Sequence, residues 1–215
     1  MRRLLARISS RIIFLLYIVL PGSSVLGGTG AFSLNVGSLL FKNPIVAQSE
    51  SGFQTGTYVQ PIATLNWHRH LPVGTSHMTL KLGYSELQSN PRGVSPLKLD
   101  TKTFIAGVGL SKEKSFQFSR YRVGLGLSYL RYSYAVQFYS IERIVISEIF
   151  SPSLELALIT RISKKVFLSV NYGCLYMGEF AETIELVPNP KHEMVLSHGK
   201  IAHMFTLGIS YELEK

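Results

Sequence analysis

Along most of this chain apolar and polar residues alternate one for one, the period of strands with a different environment on each face. The alternation comes in segments bounded by turn-forming residues. AFSLNVGSLLF (31–41) sets Phe32, Leu34 and Val36 on one face. TYVQPIATLNWH (57–68) aligns Val59, Ala63, Leu65 and Trp67, with Pro61 as an interruption that removes a ladder hydrogen bond. HMTLKLGYSEL (77–87) aligns Met78, Leu80, Leu82 and Tyr84, and TKTFIAGVGLS (101–111) aligns Phe104, Ala106, Val108 and Leu110. SRYRVGLGLSYLR (119–131) sets Tyr121, Val123, Leu125, Leu127 and Tyr129 against Arg122, Gly124, Gly126 and Ser128. SPSLELALITRI (151–162), VFLSVNYGCLYM (166–177) and IAHMFTLGISYEL (201–213) repeat the pattern.

These segments predict eight strands, each near the ~10 residues that a tilted strand needs to cross a bilayer. The connections are 42–56, 69–76, 88–100, 112–118, 132–150, 163–165 and 178–200, and long and short ones alternate throughout. A β-sandwich has no reason to alternate them. An up-and-down barrel with long loops at one end and tight turns at the other does. The third long connection, YSYAVQFYSIERIVISEIF, is rich in aromatic and β-branched residues. It reads either as a protruding hairpin turning near Ser140 to Glu142 or as a surface loop packed on its own apolar residues.

Composition narrows the class. Only 16% of residues are charged, against about 25% in soluble domains, while 46% are hydrophobic and 11% aromatic. No stretch approaches the ~20 apolar residues of a spanning helix. A charge-poor chain without such a helix is either a β-rich soluble protein or a membrane barrel. The single cysteine, Cys174, leaves no internal disulfide.

The first residues form a separate segment. Arg2, Arg3, Arg7 and Arg11 precede an apolar run from Ile12 to Leu20, and Pro21, Gly22, Ser23 and Ser24 end it. That is the layout of a secretory signal peptide, so the domains are expected as 1–27, signal peptide, and 28–215, barrel. Cleavage after Gly30 is nearly as good as after Gly27, and no cysteine follows that could carry a lipoprotein anchor. Without residues 1–27, Lys plus Arg falls from 22 to 18 against 13 acids, and the net charge from +9 to +5. The basic surplus is thus partly a targeting signal. The rest contains no dense basic run with interleaved aromatics, which sets nucleic acid aside as a partner.

The face opposite the large aliphatics is small and polar: Ser33, Asn35 and Gly37; Thr79, Lys81 and Gly83; Gly107 and Gly109; Ser169, Asn171 and Gly173; Thr206, Gly208 and Ser210. Small residues fit the narrow interior of an eight-stranded barrel, so the aliphatic face is expected to meet lipid. Lys81, Arg122, Glu155, Arg161 and Glu212 take inward parity and are expected as an ion-paired lumen network. Phe32, Trp67, Tyr121 and Tyr211 fall near the turn end, and Tyr84, Phe104, Tyr129 and Tyr176 near the loop end. Those are the positions of two interfacial aromatic girdles.

Strand count, loop alternation and the C-terminal stretch together resemble the small eight-stranded outer-membrane barrels of Gram-negative bacteria, the OmpA/OmpX-type family, over roughly 31–213. In that family the last strand carries an assembly signal of the form polar, any, Gly, any, any, apolar, any, apolar. Thr206, Gly208, Tyr211 and Leu213 occupy its defined positions, and Glu214 and Lys215 replace the usual terminal aromatic. The resemblance implies an all-β, up-and-down transmembrane barrel in the bacterial outer membrane. It also implies outer-membrane lipids, lipopolysaccharide and the barrel assembly machinery as partners, and no cofactor. The peptidoglycan-binding module of larger members is not expected.

Some barrels of this size modify lipid A, but the His-x-Ser strand motif of the deacylases is absent. His192 and His198 share the last long loop with Glu179, Glu182, Glu185, Glu193 and Ser197, without metal-ligand spacing. His68, His70 and His77 flank the first short turn, where packing and hydrogen bonding are expected over metal binding. GVGL and GLGL are strand glycines, since neither opens a helix. The sequence therefore predicts a monomeric barrel without catalytic residues, cofactor site or metal site. Its expected role is structural, adhesive or interactive, through outside loops that meet an extracellular ligand or host surface. The alternatives are a narrow ion or solute channel, a lipid A-modifying enzyme and a secreted soluble lipid-binding barrel.

Overall fold

The alternating segments form strands because β-branched and aromatic residues on one face and small residues on the other fit a pleated wall between two environments. In the computed structural model, the described residues are 30–42, 45–47, 57–71, 75–89, 97–138, 141–178, 180–185 and 193–213. The segment 1–27 expected as a signal peptide and Glu214–Lys215 lie outside them.

Among the described residues eleven strands follow in chain order: β1 (Gly30–Lys42), β2 (Ile45–Ala47), β3 (Thr57–His70), β4 (Ser76–Ser89), β5 (Leu97–Phe116), β6 (Ser119–Phe138), β7 (Ile141–Arg161), β8 (Val166–Tyr176), β9 (Phe180–Glu185), β10 (Glu193–His198) and β11 (Ile201–Glu212). Eight close an antiparallel barrel in the order β1-β11-β8-β7-β6-β5-β4-β3. The closing seam joins Ala31–Phe41 to Ala202–Glu212. Closure leaves no sheet edge along the seam, which matters where no water is present to satisfy backbone groups.

Three strands run longer than the alternation predicted. β5, β6 and β7 are 20, 20 and 21 residues long. The connection expected at 112–118 contracts to Gln117 and Phe118, with Phe116 opposite Ser119. At the other end, β6 and β7 pair continuously out to Phe138 opposite Ile141. Of the two readings of 132–150, the hairpin is the one the fold adopts. The last long connection also holds structure: β9 and β10 form a hairpin, and β10 pairs with β2 from the first long connection. The two loops thereby join in a second, three-stranded sheet at the loop end.

Pro61 is tolerated for a local reason. It pairs only with β1, opposite Ser38, and the β3–β4 ladder starts one residue later, at Ile62 opposite Ser85. Ser85 donates its hydroxyl to the Pro61 carbonyl.

The two-residue β5–β6 turn carries a local cost. Gln117 has φ of 51°, a left-handed conformation that favours glycine. Gln117→Gly is expected to stabilise the hairpin by about 1 kcal/mol, read as a higher urea midpoint for unfolding in detergent.

Burial follows the alternation around the barrel. Leu34, Val36, Val108, Leu110, Val123, Leu125, Leu127, Leu168, Val170, Leu207 and Ile209 are exposed on the outer wall, Leu125 at 69%. A continuous apolar belt of this kind is too large for a water-facing monomer. No helix among the described residues is long and apolar enough to cross a membrane, which says nothing of crossing by strands.

Candidate functional site

The lumen divides into two layers. The layer toward the short turns is polar, as the small-residue face implied. The layer toward the long loops is mainly apolar, with Gln60, Thr101 and Thr103 buried among its apolar residues, which the sequence reading did not foresee. Leu39, Phe41, Leu99, Ile105, Leu130, Tyr132, Tyr134, Val136, Leu175 and Met177 are buried there as one cluster. All but Met177, which directly follows β8, lie on the inward parity of their strands. The Tyr132 and Tyr134 rings lie 6.4 Å apart and 9° from parallel. This cluster fills the barrel under the loops as a hydrophobic core fills a soluble domain.

The polar layer is built around Asn35, which is 1% exposed. Its amide nitrogen donates to Thr64 Oγ1 at 3.2 Å and Ser33 Oγ at 3.4 Å. Its oxygen accepts from Asn171 Nδ2 at 3.0 Å and Ser169 Oγ at 3.3 Å. Three strands, β1, β3 and β8, therefore meet on one side chain. Gly208 makes room for it, since a Cβ there would overlap the Asn35 amide.

Charged side chains brace the layer across the lumen. Lys81 on β4 is paired with Glu155 on β7, two strands that are not neighbours. Arg122 on β6 holds Glu113 Oε2 at 2.7 Å and reaches over to His68 Nδ1 on β3 at 2.9 Å. A guanidinium can only donate, so Nδ1 accepts and Nε2–H is left to face Ser33 Oγ at 3.2 Å. Nearer the short turns, Arg120 bonds Glu212 Oε1 on β11 at 2.6 Å and stacks over the Phe167 ring at 4.5 Å. Arg122 and Glu113 face each other in the β5–β6 ladder; the Lys81–Glu155, Arg122–His68 and Arg120–Glu212 pairs are struts between walls that share no backbone ladder.

Lys81, Arg122, Glu155 and Glu212 are thus brought into cross-lumen contacts. Arg161 is not. It is exposed at the end of β7, and its Nε donates to the Ser163 carbonyl at 3.1 Å. Inward parity fails there because the wall ends and the side chain turns to the rim. Glu113 was missed because 112–118 read as a connection, whereas Arg120 lay inside the predicted 119–131 strand, on the parity of Arg122, and was not singled out. The signal for Glu113 was present: inward parity continues to it through Gly107, Gly109 and Ser111.

The polar layer encloses a cavity of about 40 Å³, lined by Asn66, His68, Lys81, Arg122, Glu155 and Asn171 among others. That is room for a few water molecules. Asn66 Oδ1, buried without a protein partner, is a place for one.

The aromatic residues form rows. Tyr211, Phe32 and Trp67 stand in successive register near the short turns, with Tyr121 exposed at the same end. Toward the loops, Tyr84 faces Phe104 in register, Tyr129 lies 5.6 Å from Phe150 and Tyr176 is opposite Ile201. Thr206, Gly208 and Tyr211 lie on β11, and Leu213 follows it, donating its N–H to the Gly30 carbonyl at 2.8 Å. His70 and His77 have ring centroids 4.7 Å apart. No group of three or more potential metal ligands exists among the described residues. The His192 and His198 cluster lies outside the side chains described.

No protein-family model matches the sequence, and no curated protein matches it. Solved structures do match. Neisserial surface protein A (NspA) superimposes with a TM-score of 0.57 at 12% identity, over 86% of this chain and 99% of that one. OprG from Pseudomonas aeruginosa gives 0.57 at 11%, over 86% and 97%. Ail, the attachment invasion locus protein of Yersinia pestis, gives 0.53 at 9%, over 86% and 99%. At such identities the likeness concerns architecture: the chain has the closed eight-stranded fold of the small outer-membrane β-barrels.

Proposed function

We propose that this chain is an integral protein of the bacterial outer membrane, acting as a rigid barrel that displays its loop-end surface. The observation that carries this reading is the pairing of an apolar outer belt with a lumen plugged under the loops. The belt calls for lipid around the wall. The plug, from Leu39 to Met177, leaves no wide aqueous path through the middle. The polar side chains below it are engaged with one another across the barrel, as a brace. What is left for recognition is the loop end, where the β6–β7 hairpin projects and the β2-β10-β9 sheet ties two loops together. A structural, adhesive or surface-interaction role follows, with outer-membrane lipids around the wall and an extracellular ligand at the loops. The attachment protein named above has the same architecture and lends support. In this reading the β11 residues Thr206, Gly208 and Tyr211, with Leu213, address the assembly machinery.

Two measurements on the refolded full chain test the proposal. The barrel should require detergent and migrate differently on a gel before and after boiling. In planar bilayers it should give no stable conductance. Recovery in a detergent-free fraction, or steady channels in the unmodified protein, overturns it.

A further inference from the structure

The outer wall changes character at the short-turn end of β5 to β8. On β5 the outward column runs Val108, Leu110, then Lys112, Lys114 and Phe116, all exposed. The strained turn at Gln117 holds Phe118 out at 83% exposure. The neighbouring β7–β8 turn adds exposed Arg161, Ile162 and Lys164. The two turns touch, since Arg161 N–H donates to the Phe118 carbonyl at 3.3 Å. The acids nearby point elsewhere: Glu113 lies inside with Arg122, and Glu212 is taken by Arg120. No carboxylate among the described residues pairs with Lys112, Lys114 or Lys164. The result is a patch of two phenylalanines, one isoleucine and unneutralised cations, continuous with the apolar belt.

We propose that this patch binds the headgroups of anionic glycerophospholipids in the leaflet at the short-turn end. This rests on the membrane reading above and adds a lipid preference to it. Lys112 and Lys114 follow Leu110 directly on the outward column, so they stand where the apolar belt ends, at phosphate depth. Phe116, Phe118 and Ile162 lie one step further out, at the two touching turns with Lys164, and would cover the headgroups from the water side. The strained turn fits such a role, because it sets an exposed aromatic residue that water alone would not favour. A protein partner would need no continuity with the lipid-facing wall; a lipid does.

The full chain is reconstituted into vesicles of equal parts phosphatidylcholine and phosphatidylglycerol, then released into mild detergent. The lipid that stays bound is quantified by mass spectrometry. Near an anionic surface each basic side chain is worth about a fivefold shift. Phosphatidylglycerol should therefore be enriched about tenfold or more over bulk at low salt. The triple variant K112Q/K114Q/K164Q should return to the bulk ratio, while K98Q/K102Q at the loop end should keep the enrichment. Equal retention of both lipids, or enrichment that survives the triple substitution, overturns the proposal. A gel shift on boiling is recorded for every variant. Its absence from the unmodified chain would remove the membrane reading instead, so the two failures are told apart.

Discussion

Glu155→Gln should be among the most damaging single substitutions in the barrel, costing about 3–5 kcal/mol of stability. The reason is what it leaves behind. Lys81 is 4% exposed on the polar layer of the lumen, and Glu155 is the carboxylate paired with it. Without Glu155, an ammonium group stays buried beside Arg122, which lines the same cavity. The reverse change, Lys81→Met, should cost less. Glu155 is 30% exposed and borders the cavity, so water can reach the carboxylate. The double variant K81M/E155L should recover most of the loss, because a buried pair replaced by well-packed apolar groups is often close to neutral. Urea unfolding in detergent, with the slope checked for constancy, gives the four values. If the single variants match the wild type, the struts are surface-like pairs and the lumen is wetter than its burial implies.

Much of the wall was legible because alternation depends only on which side of the strand a residue occupies. Leu125 outside and Gly124 inside are fixed by parity once the strand is recognised. Strand ends were harder. Lys112, Glu113 and Lys114 read as a polar connection, yet they continue β5 with alternate residues facing out and in. The plug was concealed by a change of phase. In SYLRYSYAVQF the alternation stays sharp but inverts: Leu130, Tyr132, Tyr134 and Val136 turn inward while Arg131 and Gln137 face out, the reverse of Val123 to Leu127 on the same strand. The charge partners were beyond the sequence altogether. Which acid meets Lys81 depends on the diameter and stagger of the closed barrel, not on spacing along the chain. Four of the five expected network residues meet partners in the lumen; Arg161, at the rim, shows where parity stops being a guide.

Gly37→Ala is expected to damage the closing seam far more than a single methyl group would suggest. Gly37 stands opposite Thr206 in the β1–β11 ladder. A Cβ at position 37 would lie 2.7 Å from Thr206 Cα and 2.8 Å from the Phe205 carbonyl carbon. Both are backbone atoms of the partner strand, so relief requires moving the ladder itself. Overpacking of this kind costs about 1–3 kcal/mol where side chains can adjust; here it falls on the pair that joins the first barrel strand to the last. If the seam parts, the freed N–H and C=O groups face lipid with no partner, at several kcal/mol each. The expected result is a sharp fall in the fraction of refolded chain that shifts on boiling. Gly208→Ala should be milder, since it meets the Asn35 side chain first, and that amide can rotate away at the expense of its hydrogen bonds. Gly109→Ala should be nearly silent, because its Cβ would meet nothing closer than the Leu125 carbonyl oxygen at 3.3 Å. The order Gly37, Gly208, Gly109 is the test. Equal effects at all three would mean that glycine serves these strands through the flexibility of the unfolded chain rather than through close approach at the seam.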